Sequence, residues 1–190
     1  PCIRCDGDAI RAGLIPSACM KLVPWNQVKE ILNVAEDILE SVEDEHTVRY
    51  THVPQPYTQE HLRAFLATPP AGVTRWAIAV DDRYAGNVEL RHRSRHIADL
   101  GYTAAPWARG RGITSDAVRR VTLWAHETGI HRVELRAAVN NHASRRVAER
   151  AGFMVEGICR DGELLRGEYN DLAVYSHLSQ DTKNRAHPNE

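Results

Sequence analysis

No run of apolar residues in this 190-residue chain approaches the length of a membrane span. The longest charge-free stretch near the start, residues 12–20, is nine residues long and is interrupted by Pro16. It is too short and too broken for a secretory signal, so the cytoplasm is the expected location and no membrane partner is expected. A surplus of one charge is also missing. The 24 Lys+Arg face 25 Asp+Glu, a formal net charge of −1 with ten His taken as neutral. Non-specific nucleic-acid binding draws on a basic surplus gathered on one face, so no nucleic-acid partner is expected either. Cysteine is sparse: Cys2, Cys5, Cys19 and Cys159. Cys2 and Cys5 form a C-x-x-C, but a zinc ribbon needs a second such pair, which Cys19 and Cys159 do not make. A redox motif belongs just after a strand rather than at the start of a chain. The pair is therefore read as incidental to an N-terminal tail, residues 1–16. His92 and His96 lie four apart, a spacing that aligns two ligands only on a helix, and here they sit in a turn; no metal is expected.

What is present is an ordinary globular composition, 43% hydrophobic and 26% charged. At this size about 70% of the unfolded surface is buried on folding, so a core forms without a metal or disulfide. Cys19 to Val23 suit a short strand stopped by Pro24. Val28, Ile31, Leu32, Ala35, Ile38, Leu39 and Val42 recur in steps of three and four, which predicts a helix capped by Asn26. Its other face is acidic (Glu36, Asp37, Glu40, then Glu43, Asp44, Glu45) and reads either as a solvated surface or as a rim attracting a cationic substrate. A short helix is expected over 59–67, and a hairpin of strands 76–80 and 84–90 around Asp81-Asp82-Arg83. A strand over 97–104, a helix over 115–128, a strand over 132–139 and a helix over 142–150 follow. Strands over 153–159 and 171–178 are joined by a polar loop. Strands in series, then strand and helix in alternation, indicate an α/β (α+β) fold: one mixed sheet with helices on both faces over residues 17–179, and a polar C-terminal tail over 180–190.

The run A-P-W-A-R-G-R-G-I-T-S at 105–115 joins a strand to a helix and holds two glycines and two arginines in four residues. Glycines let the backbone turn tightly and present N–H groups, and a helix start adds unsatisfied donors and the positive end of a dipole. Arg109 and Arg111 add charge-assisted donors. The nucleotide P-loop is excluded because no Lys is near. The dinucleotide fingerprint is excluded because Ser115 stands in its third glycine slot. The run reads as a phosphate cradle, with an idle tight turn as the alternative. Asp116 repels an anion there unless its side chain points away.

Residues 109–114, R-G-R-G-I-T, resemble the R/Q-x-x-G-x-G/A signature of the GNAT superfamily of N-acetyltransferases, with Thr114 in the last Gly/Ala slot. L-V-P-W at 22–25, D-L-G-Y at 99–102, P-W-A-R-G-R-G at 106–112 and N-H-A-S-R-R-V-A-E-R-A-G-F at 141–153 are similar to the RimJ/RimL-type branch in order and separation. The resemblance runs over roughly residues 18–178. It implies a GNAT-like mixed, mostly antiparallel central sheet with a splayed strand pair, and acetyl-CoA as co-substrate. The coenzyme diphosphate would lie on the amides of Arg109, Gly110, Arg111, Gly112, Ile113 and Thr114. The pantetheine arm would pair with Tyr102, Thr103 and Ala104, and Asn141 would contact it.

The implied reaction is direct attack of a neutral amine on the thioester carbonyl, which requires an oxyanion donor and an acid for the departing sulfur. Where many relatives carry a Tyr on the helix after the Asn, this chain has Ala148; RimL-like relatives place a Ser near the sulfur, and Ser144 matches it, a helix cap being its other reading. Glu89 and Asp99 are the base candidates, or else structural acids on strands. At pH 7 a lysine amine is neutral about 0.04% of the time and an α-amine about 10–15%, so a site without a strong base suits a protein N-terminus or a small amine-bearing compound. Alternatives are a non-catalytic acyl-CoA sensor, an enzyme modifying amine antibiotics, and, outside the resemblance, another α/β domain binding a phosphorylated ligand. Some relatives dimerise, which leaves a homodimer open. Segments 25–58 and 160–170, the least patterned, are expected to line the acceptor pocket.

Overall fold

A computed structural model describes residues 20–31 and 33–181. The C-x-x-C, the proposed tail over 1–16 and the residues after 181 lie outside the described residues.

Seven strands form one sheet: β1 (Met20–Pro24), β2 (Val73–Val80), β3 (Arg83–His92), β4 (Ile97–Ala104), β5 (Arg132–Ala138), β6 (Met154–Leu165) and β7 (Glu168–Leu178), in the order β1-β2-β3-β4-β5-β7-β6. Every neighbouring pair is antiparallel except β4 with β5. Alternation along β2 sets up two cores. Trp76, Ile78 and Val80 belong to the core that α4 (Ile113–Glu127) and α5 (His142–Ala151) also line. Ala77 and Ala79 pack with α1 (Val34–Glu43) and α3 (Gln59–Phe65) on the opposite face. The two central residues of the β2–β3 turn, Asp81 and Asp82, both have positive φ (51° and 61°), the geometry of a two-residue hairpin turn.

The predicted helix over 26–42 is two elements. Residues Trp25–Glu30 form a 3-10 helix, Asn33 turns left-handed (φ 52°), and α1 begins at Val34, so Asn26 is not its cap. The misreading has a physical cause: Trp25, Val28 and Ile31 repeat every three residues, which puts them on one face of a 3-10 helix as well. Trp25 Nε1 donates to the carbonyls of Phe65 and Ala67, both at 3.1 Å, anchoring that turn. Nor is the acidic face simply solvated. Asp37 is buried and held by Arg83 Nε at 2.9 Å, while Asp44 caps α2 (Glu45–Tyr50), a helix absent from the sequence reading.

The expected polar loop over 160–170 is also structured. It forms the ends of β6 and β7, which meet in a two-residue turn at Arg166-Gly167 (φ 52° and 84°). The Arg166 guanidinium donates to the carbonyls of Val48 at 3.0 Å and Val53 at 2.8 Å, so this hairpin is fastened to α2 and the segment after it.

Candidate active site

The parallel ladder between β4 and β5 has only three rungs, Ile97–Arg132, Ala98–Val133 and Asp99–Glu134. Beyond them each strand keeps its outer partner, β4 with β3 and β5 with β7, while the inner edges part. The inward-pointing main-chain N–H and C=O groups within residues 100–104 and 135–138, those not used by the outer strands, thus face a gap rather than a neighbouring strand, and a ligand able to pair like a strand satisfies them. The gap opens into a cavity of about 770 Å³, within the range of small-molecule sites. Leu100 to Ala104 wall one side and Leu135 to Ala138 the other.

At the end of β4 the chain turns through Pro106–Ala108 into the double-glycine loop. Gly110 and Gly112 both have positive φ (74° and 77°), and Gly112 occupies the N-cap of α4 without any side-chain cap. The first N–H groups of α4 are left to donate to an outside partner. Gly110, Gly112, Thr114 and Ser115 line the cavity. The repulsion feared from Asp116 is removed, because its carboxylate is engaged by Arg119 at 2.6 Å and Arg120 at 2.9 Å.

Two sequence expectations for this loop need correction. The Arg111 side chain, expected as a charge-assisted donor, lies with its guanidinium 5.8 Å from the Trp107 ring centre, and the Ile113 side chain is buried in the core under α4, so these two residues offer the loop only their main-chain amides. Arg109 lines the cavity, but its side chain is not a free phosphate donor. Nη2 donates to Asp44 at 2.6 Å and to Thr47 Oγ1 at 3.0 Å, and Nε donates to the Ala104 carbonyl at 3.3 Å. It ties the loop to the N-terminus of α2, whose residues His46, Thr47 and Tyr50 roof the cavity. Tyr50 also donates to the Asn140 carbonyl at 3.4 Å, closing the roof onto the far wall.

The Arg109 hydrogen bond, opposed in part by burial, holds the Asp44 carboxyl at about 2 rather than 3.8. A carboxylate whose pKa falls on folding contributes stability that is complete above its unfolded value and is lost as pH falls through its folded one. Asp44→Asn is expected to lower the thermal midpoint at neutral pH, and the difference from the unaltered protein should shrink steadily from about pH 4 towards pH 2. Unfolding scans at several pH values check this; a difference that persists undiminished at the acid end contradicts it.

On the α5 side, Asn141 caps the helix, its Oδ1 accepting from Ser144 N–H at 3.1 Å. Ser144 is therefore not the cap. Its hydroxyl lies 2.7 Å from that of Tyr102, and both residues line the cavity. Burial pushes the Tyr102 phenol up to about 12, the bond to Ser144 pulling the other way, so it stays protonated over the working pH range. Ala148, in the slot where many relatives carry Tyr, is fully buried.

The two carboxylates picked as bases part company. Asp99 lines the cavity, paired with Arg93 at 3.1 Å. Glu89 does not. It lies on the face covered by α3, held by Arg75 at 2.8 Å and by Arg91 on its other oxygen. Glu134 also lines the cavity, and three arginines (Arg93, Arg132, Arg136) surround it. Burial alone raises its pKa, but the Arg132 hydrogen bond and the neighbouring positive charges outweigh that and hold it low. Glu163 on β6 is different: its partner is His52 Nε2 at 3.0 Å, not an arginine. Neither it nor His46 was singled out from sequence. His46, on the roof, has its pKa lowered by burial and by Arg109. Among the described residues no group of three or more His, Cys, Asp or Glu converges as metal ligands.

The sheet is mostly antiparallel, parted at its one parallel pair, and a glycine loop at a helix head follows the parted strand β4. The chain belongs to the acetyltransferase (GNAT) domain family, whose model matches residues 30–154. It is 41% identical over 85 residues (44% of this chain, 46% of the relative) to YdaF of Bacillus subtilis (strain 168), named as a candidate ribosomal N-acetyltransferase. It is 30% identical over 82 residues (43% of this chain, 46% of the relative) to the ribosomal-protein-serine acetyltransferase of Escherichia coli (strain K12). Each match spans about half the length of those curated relatives. The fold is shared with RimL, a ribosomal L7/L12 alpha-N-protein acetyltransferase solved in complex with coenzyme A (TM-score 0.71, 23% identity, 84% of this chain and 93% of that one). The described helices include none long and apolar enough to cross a membrane.

Proposed function

We propose that this protein is a cytoplasmic, acetyl-CoA-dependent N-acetyltransferase that delivers the acetyl group to a primary amine, either a protein N-terminal α-amine or a small amine-bearing compound. The observation that carries the reading is the continuity of a single cavity from the gap between β4 and β5 to the loop at Gly110 and Gly112. Bound there, the coenzyme supplies an activated acetyl group as a thioester. Amides from Gly110 to Thr114 hold its diphosphate, and the inner edge of Tyr102, Thr103 and Ala104 orients the arm. No nucleic acid or membrane has a part in this reading.

The chain's own groups suit the proton traffic. Tyr102 and Ser144 share a hydrogen bond in which either hydroxyl can donate; with Tyr102 donating, the Ser144 proton is free to face the cavity and reach a departing thiolate. Glu163, the cavity carboxylate not pinned by an arginine, takes the amine proton directly or through water, and His52 orients it. Glu89 is withdrawn from the mechanism, and Asp99 is left as the Arg93 partner at the narrow end of the gap.

Thiol release from acetyl-CoA, followed across N-terminal peptides, lysine side chains and amine antibiotics, tests the reading. Turnover with at least one amine class is expected. Tight coenzyme binding without turnover on any of them would favour a sensor. Ser144→Ala and Glu163→Gln are each expected to lower kcat by about ten- to a hundredfold with little change in coenzyme affinity. Tyr102→Phe should reproduce part of the Ser144→Ala loss. Unaltered turnover in Ser144→Ala removes that hydroxyl from the mechanism.

A further inference from the structure

We propose that Arg146 and Arg150 form a subsite for a phosphomonoester dianion, the 3′-phosphate of coenzyme A, and make the protein select coenzyme A over its 3′-dephospho form. The inference rests on the donor assignment above.

Five arginines line the cavity. Three are occupied by carboxylates: Arg91 by Glu89, Arg109 by Asp44 and Arg136 by Glu134. Arg146 and Arg150 are not: neither makes a hydrogen bond or ion pair with any described residue. They stand four apart on α5, hence one above the other on the same face, and that face also presents Ala143 and Val147 to the cavity. Two like charges at this spacing repel when nothing neutralises them. The neighbouring acid does not serve, since Glu149 Oε1 accepts from the Tyr175 hydroxyl at 3.3 Å. No structural role for the pair is visible, whereas a dianion between them removes the repulsion and gains two planar, charge-assisted donors.

Position separates this subsite from the glycine loop. The loop amides account for one anionic group, the diphosphate. The arginines belong to another helix, and Arg150 lies about 9 Å along its axis from Ser144, away from the reacting end of the gap. Coenzyme A carries a second anion, a phosphomonoester that is largely dianionic at neutral pH, and the 3′-dephospho form lacks only that group.

Calorimetric titration of the full chain with coenzyme A and with 3′-dephospho-coenzyme A tests the proposal without any knowledge of the acceptor. The unaltered protein should bind coenzyme A about tenfold more tightly, and the preference should shrink as salt is raised. Arg146→Gln combined with Arg150→Gln should weaken coenzyme A about tenfold and leave the dephospho form within about twofold. Both side chains are exposed, so circular dichroism should be unchanged; the corresponding Lys pair should keep part of the preference. Equal affinities in the unaltered protein overturn the subsite, and so does a double variant that weakens both ligands alike. If neither ligand binds, the donor assignment itself falls and the subsite with it.

Discussion

Replacing Gly112 with Trp should abolish coenzyme A binding, by about a thousandfold or more, and leave the domain folded. Gly112 sits at φ 77° on the N-cap of α4 and lines the cavity, and a Cβ placed there meets nothing within 4 Å. An indole in that space covers the amides meant for the diphosphate. Losing two or three charge-assisted bonds of about 1.5–3 kcal/mol each gives the expected factor. The left-handed backbone costs a non-glycine residue about 1–2 kcal/mol, which a domain with roughly 5–15 kcal/mol of stability tolerates. Calorimetry with coenzyme A and circular dichroism on the same sample decide it. A folded variant with undiminished affinity means that the diphosphate does not lie on this loop.

The second large effect is on stability. Gly86 pairs with Ala104 across β3 and β4 at φ 140°, and a Cβ there would collide with the Thr103 carbonyl oxygen and come within 3.1 Å of the Ala104 Cα. These are backbone atoms of a strand held in register, so no side chain can swing away to relieve the clash. Gly86→Ala is expected to cost at least about 3 kcal/mol, a fall in Tm of about 6–12 °C for a domain of this size. Gly129→Ala separates sterics from backbone preference: Gly129 also has positive φ (97°) but meets nothing within 4 Å, so its cost should be near 1 kcal/mol. Thermal unfolding of both variants checks the pair, and equal losses would contradict the close approach of β3 and β4. Residues 103 and 104 border the gap, so the Gly86 variant should also bind coenzyme more weakly.

The parts of the fold legible in the sequence were those whose faces differ. β4 was read with its observed ends, Ile97–Ala104, and β5, α4 and α5 to within two residues, because each alternates or repeats against a core. β6 was cut short. As the edge strand it is exposed along nearly its whole length and bulges twice, so no alternation marks it. α2 was hidden in an acidic run whose purpose, Asp44 capping the helix and holding Arg109, depends on residues 65 positions apart. The same division runs through the site. The glycine loop is a local motif and could be recognised from its spacing. The pairing of Arg109 with Asp44, of Glu89 with Arg75, and of Tyr102 with Ser144 depends on which strand faces lie together, which no local pattern reports. Arg146 and Arg150 are the exception, since their four-residue spacing on a recognisable helix already put them on one face.

A crystal structure with coenzyme A bound tests the central claim most directly. Diphosphate oxygens should lie within about 3.2 Å of main-chain nitrogens between Gly110 and Thr114, with the sulfur arm running along the gap between residues 100–104 and 135–138. Coenzyme seated anywhere else, or a gap left empty at saturating coenzyme, would contradict it.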